Sequence, residues 1–359
     1  MKKKIIIHII YNLGRGGAET MLVGVLRELK EYKNIVVTLS PIHHFEEELE
    51  CDQYICLHEP SLLRLPMAVQ KLKKIIQEYK PHLVHSHLPQ SNFAARLATP
   101  ASIPLVTTIH TAISAAVDYK KKYIRWLDRF TYNRRPSTIV AVSKQALRDY
   151  FSELHLDIEK ANATVIHTFV DTNRFSATTT HQAVEEVLLI SIGSLRKNKN
   201  YDYLIEAFKF LKDQAISLHI YGAGPTLSEL QQTIDQAGVK IQLKGQVKNI
   251  SEILPNYSIF VMPSKFEGFS LSVLEAMAAK RPMLLSDIPS FREQCEDCAI
   301  YFNLNDPEDF AKKLIELMAD ESKMNELGLK GYYRMYHNFT FEHHLKKLKT
   351  LYENEIASK

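Results

Sequence analysis

Short apolar runs alternate with amphipathic stretches along the first half of the chain. Runs at Ile5–Ile10, Ile35–Leu39, Leu83–His87, Leu105–Ile109 and Ile139–Val142 read as strands buried on both faces. Between them, apolar residues recur at helical spacing over about Ala18–Lys30, Met67–Lys80, Tyr119–Asn133 and Lys144–Ser152. Beyond Asp171 the rhythm restarts. Strands are predicted at Leu188–Ile192, Leu218–Tyr221, Ile241–Leu243, Ile259–Met262 and Met283–Leu285, each followed by a helix. Strands interleaved in this way predict parallel sheets with helices on both faces. The polar stretch Ser176–Glu186 reads as a linker. The expectation is an α/β chain of two doubly wound, Rossmann-like domains, residues 1–172 and 173–340, facing a central cleft at the carboxyl ends of their strands. A last amphipathic helix, within 341–359, carries Leu345, Leu348, Leu351 and Tyr352 on one face.

Composition adds constraints. A length of 359 residues exceeds one ordinary core. No apolar run reaches the ~18–20 residues of a membrane span. The N-terminal MKKKIIIHIIYNLG is basic and then apolar, but its apolar run is short, contains His8 and leads into a glycine turn. It reads as a first strand rather than a signal peptide, which implies a cytoplasmic protein. The 4 cysteines make no disulfide framework, and the C-x2-C of Cys295 and Cys298 has no partner motif. The net charge of +4 is uneven: residues 1–170 hold 23 Lys/Arg against 16 Asp/Glu, a net of +7, and the rest carries −3. Much of the excess lies in Asp118–Arg135, where 7 cations and 2 acids are interleaved with Tyr119, Tyr123, Trp126, Phe130 and Tyr132. A basic helix with aromatic rings suits an anionic membrane surface. Nucleic acid is not expected, because no nucleic-acid motif accompanies it.

Candidate chemistry concentrates in PSKFEGFSLSVLEAMAAKRP, where Glu267 and Glu275 stand 8 positions apart. A strand, a turn with Gly268 and a helix capped by Ser270 or Ser272 put Glu267 on a loop and Glu275 about one turn inside the helix. Free N–H groups at such a helix start meet an anion, typically a phosphate. Acids on either side of it can accept from the hydroxyls at the two ends of a bound nucleoside-diphosphate sugar. Gly14-Arg15-Gly16-Gly17 makes a second glycine turn between a strand and a helix, too short for a dinucleotide fingerprint. Gly193–Asn200 supplies Arg196, Lys197 and Lys199 at another strand end, where fixed cations stabilise a leaving diphosphate. His110 ends the strand in LVTTIHT, and His85 and His87 end the one before it. No two aspartates are separated by a single residue, so the expected chemistry needs no metal and no cofactor.

Segment by segment, Val239–Glu293 resembles the donor half of the retaining glycosyltransferases of family 4, whose E-x7-E motif binds the sugar nucleotide. The resemblance extends through GSLRKNKNYDYLIEAF, YGAGPTLSEL and GRGGAET to essentially the whole chain. It implies the GT-B fold, with the last helix crossing back to the first domain. It also implies transfer of a sugar from a nucleoside diphosphate, UDP-linked in our reading, to a glycan or lipid-linked acceptor of cell-surface polysaccharide, on the inner membrane face. By this resemblance Glu275 holds the ribose and Glu267 the donor sugar, with Glu267, His110, Arg196 and Lys199 as the catalytic set. Gly16, Gly17, Ser194, Gly222, Gly224 and Val247 line the donor. Gly268, Phe269, Ser270, Leu271 and Ser272 do so too, the last four through backbone N–H groups. Arg15, Glu19 and His87 are expected to meet the acceptor. The chain departs from the family at Ser194, where an Arg is usual, and Arg196 is expected to supply that guanidinium. Two rival readings are a nucleotide-sugar epimerase of similar architecture and a silent sugar-nucleotide-binding subunit.

Overall fold

The computed structural model describes residues 3–14, 16–114, 116, 118–175, 187–247 and 249–358. Arg15 and the expected linker 176–186 lie outside them. The chain divides into two compact units, residues 1–168 with 342–359, and residues 169–341.

The first unit begins β1 (Ile5–Ile10), α1 (Gly17–Leu26), β2 (Lys33–Thr38), β3 (Gln53–Cys56), α2 (Leu65–Tyr79), β4 (Leu83–His87) and α3 (Pro89–Ala98). It continues β5 (Leu105–Ile109), α4 (Lys122–Arg134), β6 (Thr138–Ala141), α5 (Lys144–Glu153) and β7 (Ala163–Val165). The strands form one parallel sheet in the order β3-β2-β1-β4-β5-β6-β7. Ile6, Ile7, Ile9 and Ile10 of β1 have no exposed surface, because helices cover both faces of the sheet. Each such side chain contributes ~1.5–3 kcal/mol by leaving water. A buried polar network ties the helices of one side together. Arg96 of α3 donates to Asp128 of α4 at 2.5 Å and to the Tyr150 hydroxyl of α5 at 2.9 Å, and the Tyr119 hydroxyl donates to the same carboxylate.

The second unit runs β8 (Val187–Ile192), α6 (Tyr201–Phe208), β9 (Ile216–Tyr221), α7 (Leu227–Ala237), β10 (Ile241–Gly245), α8 (Ile250–Ile253) and β11 (Ile259–Met262). It ends α9 (Leu271–Ala278), β12 (Met283–Ser286), α10 (Pro289–Cys295), β13 (Ile300–Phe302), α11 (Pro307–Met318) and α12 (Glu321–Asn338). Its parallel sheet has the order β10-β9-β8-β11-β12-β13, the same crossover pattern as the first. The last helix, α13 (Phe341–Ala357), packs on the first unit. There the Tyr352 hydroxyl meets His85 Nδ1 at 2.6 Å, and His344 Nδ1 meets the His167 carbonyl at 2.8 Å.

In each sheet the strand order reverses beside the first strand of its unit, between β1 and β4 and between β8 and β11. Loops leaving those strands diverge to opposite faces, and the space they open is where ligands sit in such folds.

Candidate functional site

In the second unit the reversal brings residues 193–200 beside residues 263–270. Lys265 N–H donates to the Asn198 carbonyl at 2.9 Å and locks the two loops together. Two glycines allow a third loop to press on the first. A Cβ on Gly222, whose φ is +154°, would fall 1.9 Å from the Gly193 carbonyl oxygen, and one on Gly224 would fall 2.2 Å from that of Leu195. These glycines thus bear on the backbone of the cation-carrying loop.

That loop turns at Asn200, in the left-handed region at φ +57°, and enters α6. The turn lays Lys199 along Gly193 and delivers its Nζ to Glu267 Oε1 at 2.6 Å. Ser264 Oγ donates to the same oxygen at 2.6 Å, and Ser286 Oγ in turn fixes the Ser264 carbonyl at 2.6 Å. The ion pair is largely shielded, with side-chain exposures of 12% and 13%. A shielded pair holds its geometry better than a solvated one. Arg196 does not join it: its side chain is exposed and forms no hydrogen bond or ion pair among the described residues. Ser194 is exposed on the same loop, and Val247 is half-buried after β10.

After Glu267 and Gly268 the chain enters α9 at Ser270, the N-cap. Its hydroxyl makes no capping bond and meets Ser272 Oγ at 3.1 Å instead. The N–H groups of Leu271 and Ser272 have no acceptor within the helix, as the first turn of any helix dictates. The N–H of Ser270 was expected to serve a ligand, and this is corrected here. It donates to Gln294 Oε1 at 3.0 Å, while Gln294 Nε2 donates back to the Ser270 carbonyl at 2.8 Å. Phe269 is buried and packs edge-on against Phe339, with ring centroids 5.1 Å apart. Glu275 lies one turn in, half-buried, and its carboxyl forms no hydrogen bond or ion pair among the described residues. Burial pushes it up to about 7, with Arg174 opposing the shift. A carboxylate so placed favours any ligand that supplies donors to it.

At the reversal point of the first sheet the expected glycine turn is present. Gly16 is the N-cap of α1, and Glu19 folds back over it, so a Cβ at Gly16 would meet the carboxylate at 2.5 Å. Burial raises the Glu19 carboxyl above its usual range. Gly17 faces open space, and Arg15 lies outside the described residues. His110 is half-buried, and burial lowers its imidazole to about 3, so it is neutral at any ordinary pH. Its Nε2 meets His87 Nδ1 at 3.2 Å. His87, expected to meet the acceptor, is 1% exposed, its ring tilted against that of His85 with centroids 4.1 Å apart. Strand alternation explains this, since His85 and His87 share the face of β4 against which α13 packs.

His8, His85 and His87 offer ring nitrogens within 4.8 Å of one another. Zinc–nitrogen bonds of ~2.1 Å set tetrahedral ligand atoms only about 3.4 Å apart. His85 engages both nitrogens already, with Tyr352 and with Thr108 Oγ1 at 2.6 Å. The trio is a stack of neutral rings, lowered by burial and mutual proximity, rather than a formed ligand set.

Sequence reasoning found the glutamates and Lys199 because all three sit next to a turn or glycine signal. It missed Ser264 and Gln294, whose roles arise only when the loop folds onto them.

Comparison with known proteins agrees with this arrangement. Residues 15–174 match the model of Glycosyltransferase Family 4, and residues 177–334 match that of Glycosyl transferases group 1. The UDP-Gal:alpha-D-GlcNAc-diphosphoundecaprenol alpha-1,3-galactosyltransferase of Escherichia coli is 24% identical over 83% of this chain and 82% of its own length. The putative glycosyltransferase EpsF of Bacillus subtilis is 24% identical over 79% of each. Among solved structures, sucrose-phosphate synthase from Thermosynechococcus elongatus superposes with a TM-score of 0.85 at 16% identity, over 99% of this chain and 100% of that one. Anabaena HepE in complex with UDP and glucose gives 0.83 at 14%, over 96% and 98%. Such likenesses establish a GT-B fold of two parallel-sheet Rossmann-like domains.

Proposed function

The chain belongs to the glycosyltransferases of family 4, and on that premise we propose that it is a retaining, metal-independent enzyme of cell-surface polysaccharide assembly. It moves a sugar from a UDP-linked donor to a glycan or lipid-linked glycan. The observation that carries the reading is the Lys199–Glu267 pair at the mouth of α9, with Glu275 one turn further in. A diphosphate lying across the first turn meets the N–H groups of Leu271 and Ser272. The Lys199 ammonium faces the negative charge that grows on the leaving group. Glu275, whose carboxyl forms no hydrogen bond or ion pair among the described residues, accepts from ribose hydroxyls. Glu267 Oε1 already accepts from both Lys199 and Ser264, which leaves Oε2 for a hydroxyl of the donor sugar. A carboxylate held in this way is a weak nucleophile, so the departing phosphate takes the acceptor's proton on the same face.

For location, we place the enzyme on the cytoplasmic face of an anionic membrane, held through α4. Tyr123, Trp126 and Phe130 are exposed there, the last two with stacked rings 5.2 Å apart. Lys120, Lys121, Lys122, Arg129 and Arg134 are exposed around them. No helix among the described residues is long and apolar enough to cross a membrane.

The test is a thermal-shift and hydrolysis screen across UDP-, GDP- and ADP-sugars, run with magnesium and with excess EDTA, with the product anomer read by NMR. Stabilisation by a UDP-sugar, EDTA-insensitive turnover and a retained anomer are expected. A strict metal requirement or an inverted product would overturn the mechanism, and indifference to every nucleotide sugar would overturn the function.

A further inference from the structure

Gln294 is a fully buried side-chain amide on α10, and it engages the backbone of one residue twice. Its Oε1 accepts the Ser270 N–H and its Nε2 donates to the Ser270 carbonyl, as a neighbouring strand would do. Ser270 is the residue on which α9 begins, and its carbonyl also accepts the Leu274 N–H at 3.2 Å. The amide therefore fixes the peptide that sets the direction of the next N–H groups, those of Leu271 and Ser272. Gln294 is itself held from behind. Arg334 of α12 donates to the Gln294 carbonyl at 2.7 Å and to the Glu293 carbonyl at 2.8 Å, and pairs with Glu296 at 2.7 Å. Those bonds hold α10 to α12, so the clasp on Ser270 rests on an anchored element rather than on a free loop.

The residue type follows from the geometry. A buried amide is tolerated only when both of its ends are paired, and here the N–H and C=O of one residue pair both. Asparagine is one methylene too short to span the same gap. Leucine would leave the buried Ser270 N–H without an acceptor. Glutamic acid, when protonated, keeps one acceptor and one donor in nearly the same places. When ionised it has no donor and faces the Ser270 carbonyl with like charge.

We infer that Gln294 is a positioning residue of the donor site, holding the first turn of α9 so that its N–H groups converge on the diphosphate. The inference rests on the reading of that turn as the diphosphate site. It touches no reacting atom and acts only through Ser270.

The test uses the full chain and calorimetry. Whichever of UDP, GDP and ADP binds the wild type most tightly serves as the probe, with its nucleoside as the phosphate-free control. Gln294→Leu should weaken the diphosphate at least tenfold at every pH while changing nucleoside affinity less than twofold. A merely structural residue would move both together. Gln294→Glu provides a rescue that does not depend on the leucine variant folding. The charged groups joined to that stretch are Arg334 on α12, Glu293 on α10 and Glu296 at its C-cap, and Glu275 titrates in the same site. Affinity is therefore taken as a ratio to wild type at the same pH. That ratio should stay within about threefold at pH 5.5 and fall tenfold or more by pH 8.5. Diphosphate binding within twofold of wild type for both folded variants, at both pH values, would overturn the inference and leave the donor site standing. If the wild type binds none of the three diphosphates, the donor site itself is wrong and the inference falls with it.

Discussion

At the reversal point of the second sheet a lysine and two glutamates gather, whereas the same point of the first sheet is filled by neutral imidazoles. The two sheets share one crossover pattern, so topology supplies the location in both. What differs is how each place treats charge. Lys199 and Glu267 lie 2.6 Å apart as a largely shielded ion pair, each the partner of the other. His85, His87 and His110 face no carboxylate among the groups that shift them; burial depresses all three first, and His110 depresses the other two further. Paired charge survives shielding, and unpaired basic groups shed their protons. One region is thus suited to hold an anion. The other offers neutral donors and acceptors to hydroxyls.

The comparison is broken most strongly by attacking the scaffold of one region alone. Asp128 accepts from Arg96, Tyr119 and Tyr150 with no exposed surface. Asp128→Ala would leave the Arg96 guanidinium buried without its counter-ion, a loss of about 3–5 kcal/mol. Urea melts should show the first unit opening early, with nucleotide protection of the second unit retained. A variant as stable as wild type would mean that the network is not what orders α3, α4 and α5.

Within the charged region, Lys199→Ala should lower turnover about 10²–10³-fold, the usual cost of removing one preorganised electrostatic group. Donor affinity should change far less, because the leaving charge exists only in the transition state. Equal losses in both would reassign Lys199 to ground-state binding.

Glu275→Gln separates the two regions by pH. The folded carboxyl at about 7 lies above the ordinary 4.5, so the native state binds an extra proton between those values. Stability therefore falls as pH rises from about 4.5 to 7, by up to about 3 kcal/mol from this group. The variant should lose that slope and be more stable than wild type at pH 8. Nucleotide affinity should drop by about 1.5–3 kcal/mol, since ribose hydroxyls lose a charged acceptor. His8, His85, His87, His110 and His344 of the first unit, all lowered by burial, add a slope of opposite sign below the ordinary 6.5, but it is common to both proteins and cancels in their difference. A pH slope between 4.5 and 7 that is the same in wild type and variant would transfer the titration to another group.

Much of this was legible where the chemistry is local in sequence. The strand at 5–10 is apolar but for His8, and those at 83–87 and 105–109 open on apolar pairs, because both faces are covered. Residues 89–98 gave no signal for α3: Ser91, Asn92 and Arg96 are buried with Phe93 and the alanines, so no apolar stripe marks the helix. The edge strand β3 is short and half-exposed, and β7 has only 3 residues, too few for a period. Glu267, Glu275 and Lys199 could be read from turns beside them. The bonds that shape the two regions join Ser270 to Gln294, 24 positions apart, and His85 to Tyr352, 267 apart. No local pattern encodes such pairs.

The smallest expected effect tests where the cations of the first unit act. In the second unit Lys199 is turned inward onto Glu267, but the excess charge of the first lies out on α4, exposed among aromatic rings. Arg125 and Arg129 stand one turn apart on that helix and differ in their engagement. Arg125 donates to the Tyr119 carbonyl at 2.8 Å and pairs with Glu153 at 2.7 Å, while Arg129 is exposed. Only the free cation has its full charge to offer an anionic leaflet, where each contributes about 1 kcal/mol. Arg129→Gln should therefore weaken sedimentation with phosphatidylserine vesicles about fivefold. Arg125→Gln should leave it within twofold and lower thermal stability instead. Raising salt should erase the difference, since the attraction is screened over about 8–10 Å at physiological ionic strength. Equal losses from both variants, or binding indifferent to salt, would mean that α4 meets water rather than lipid, and that the charge of the first unit serves only its solubility.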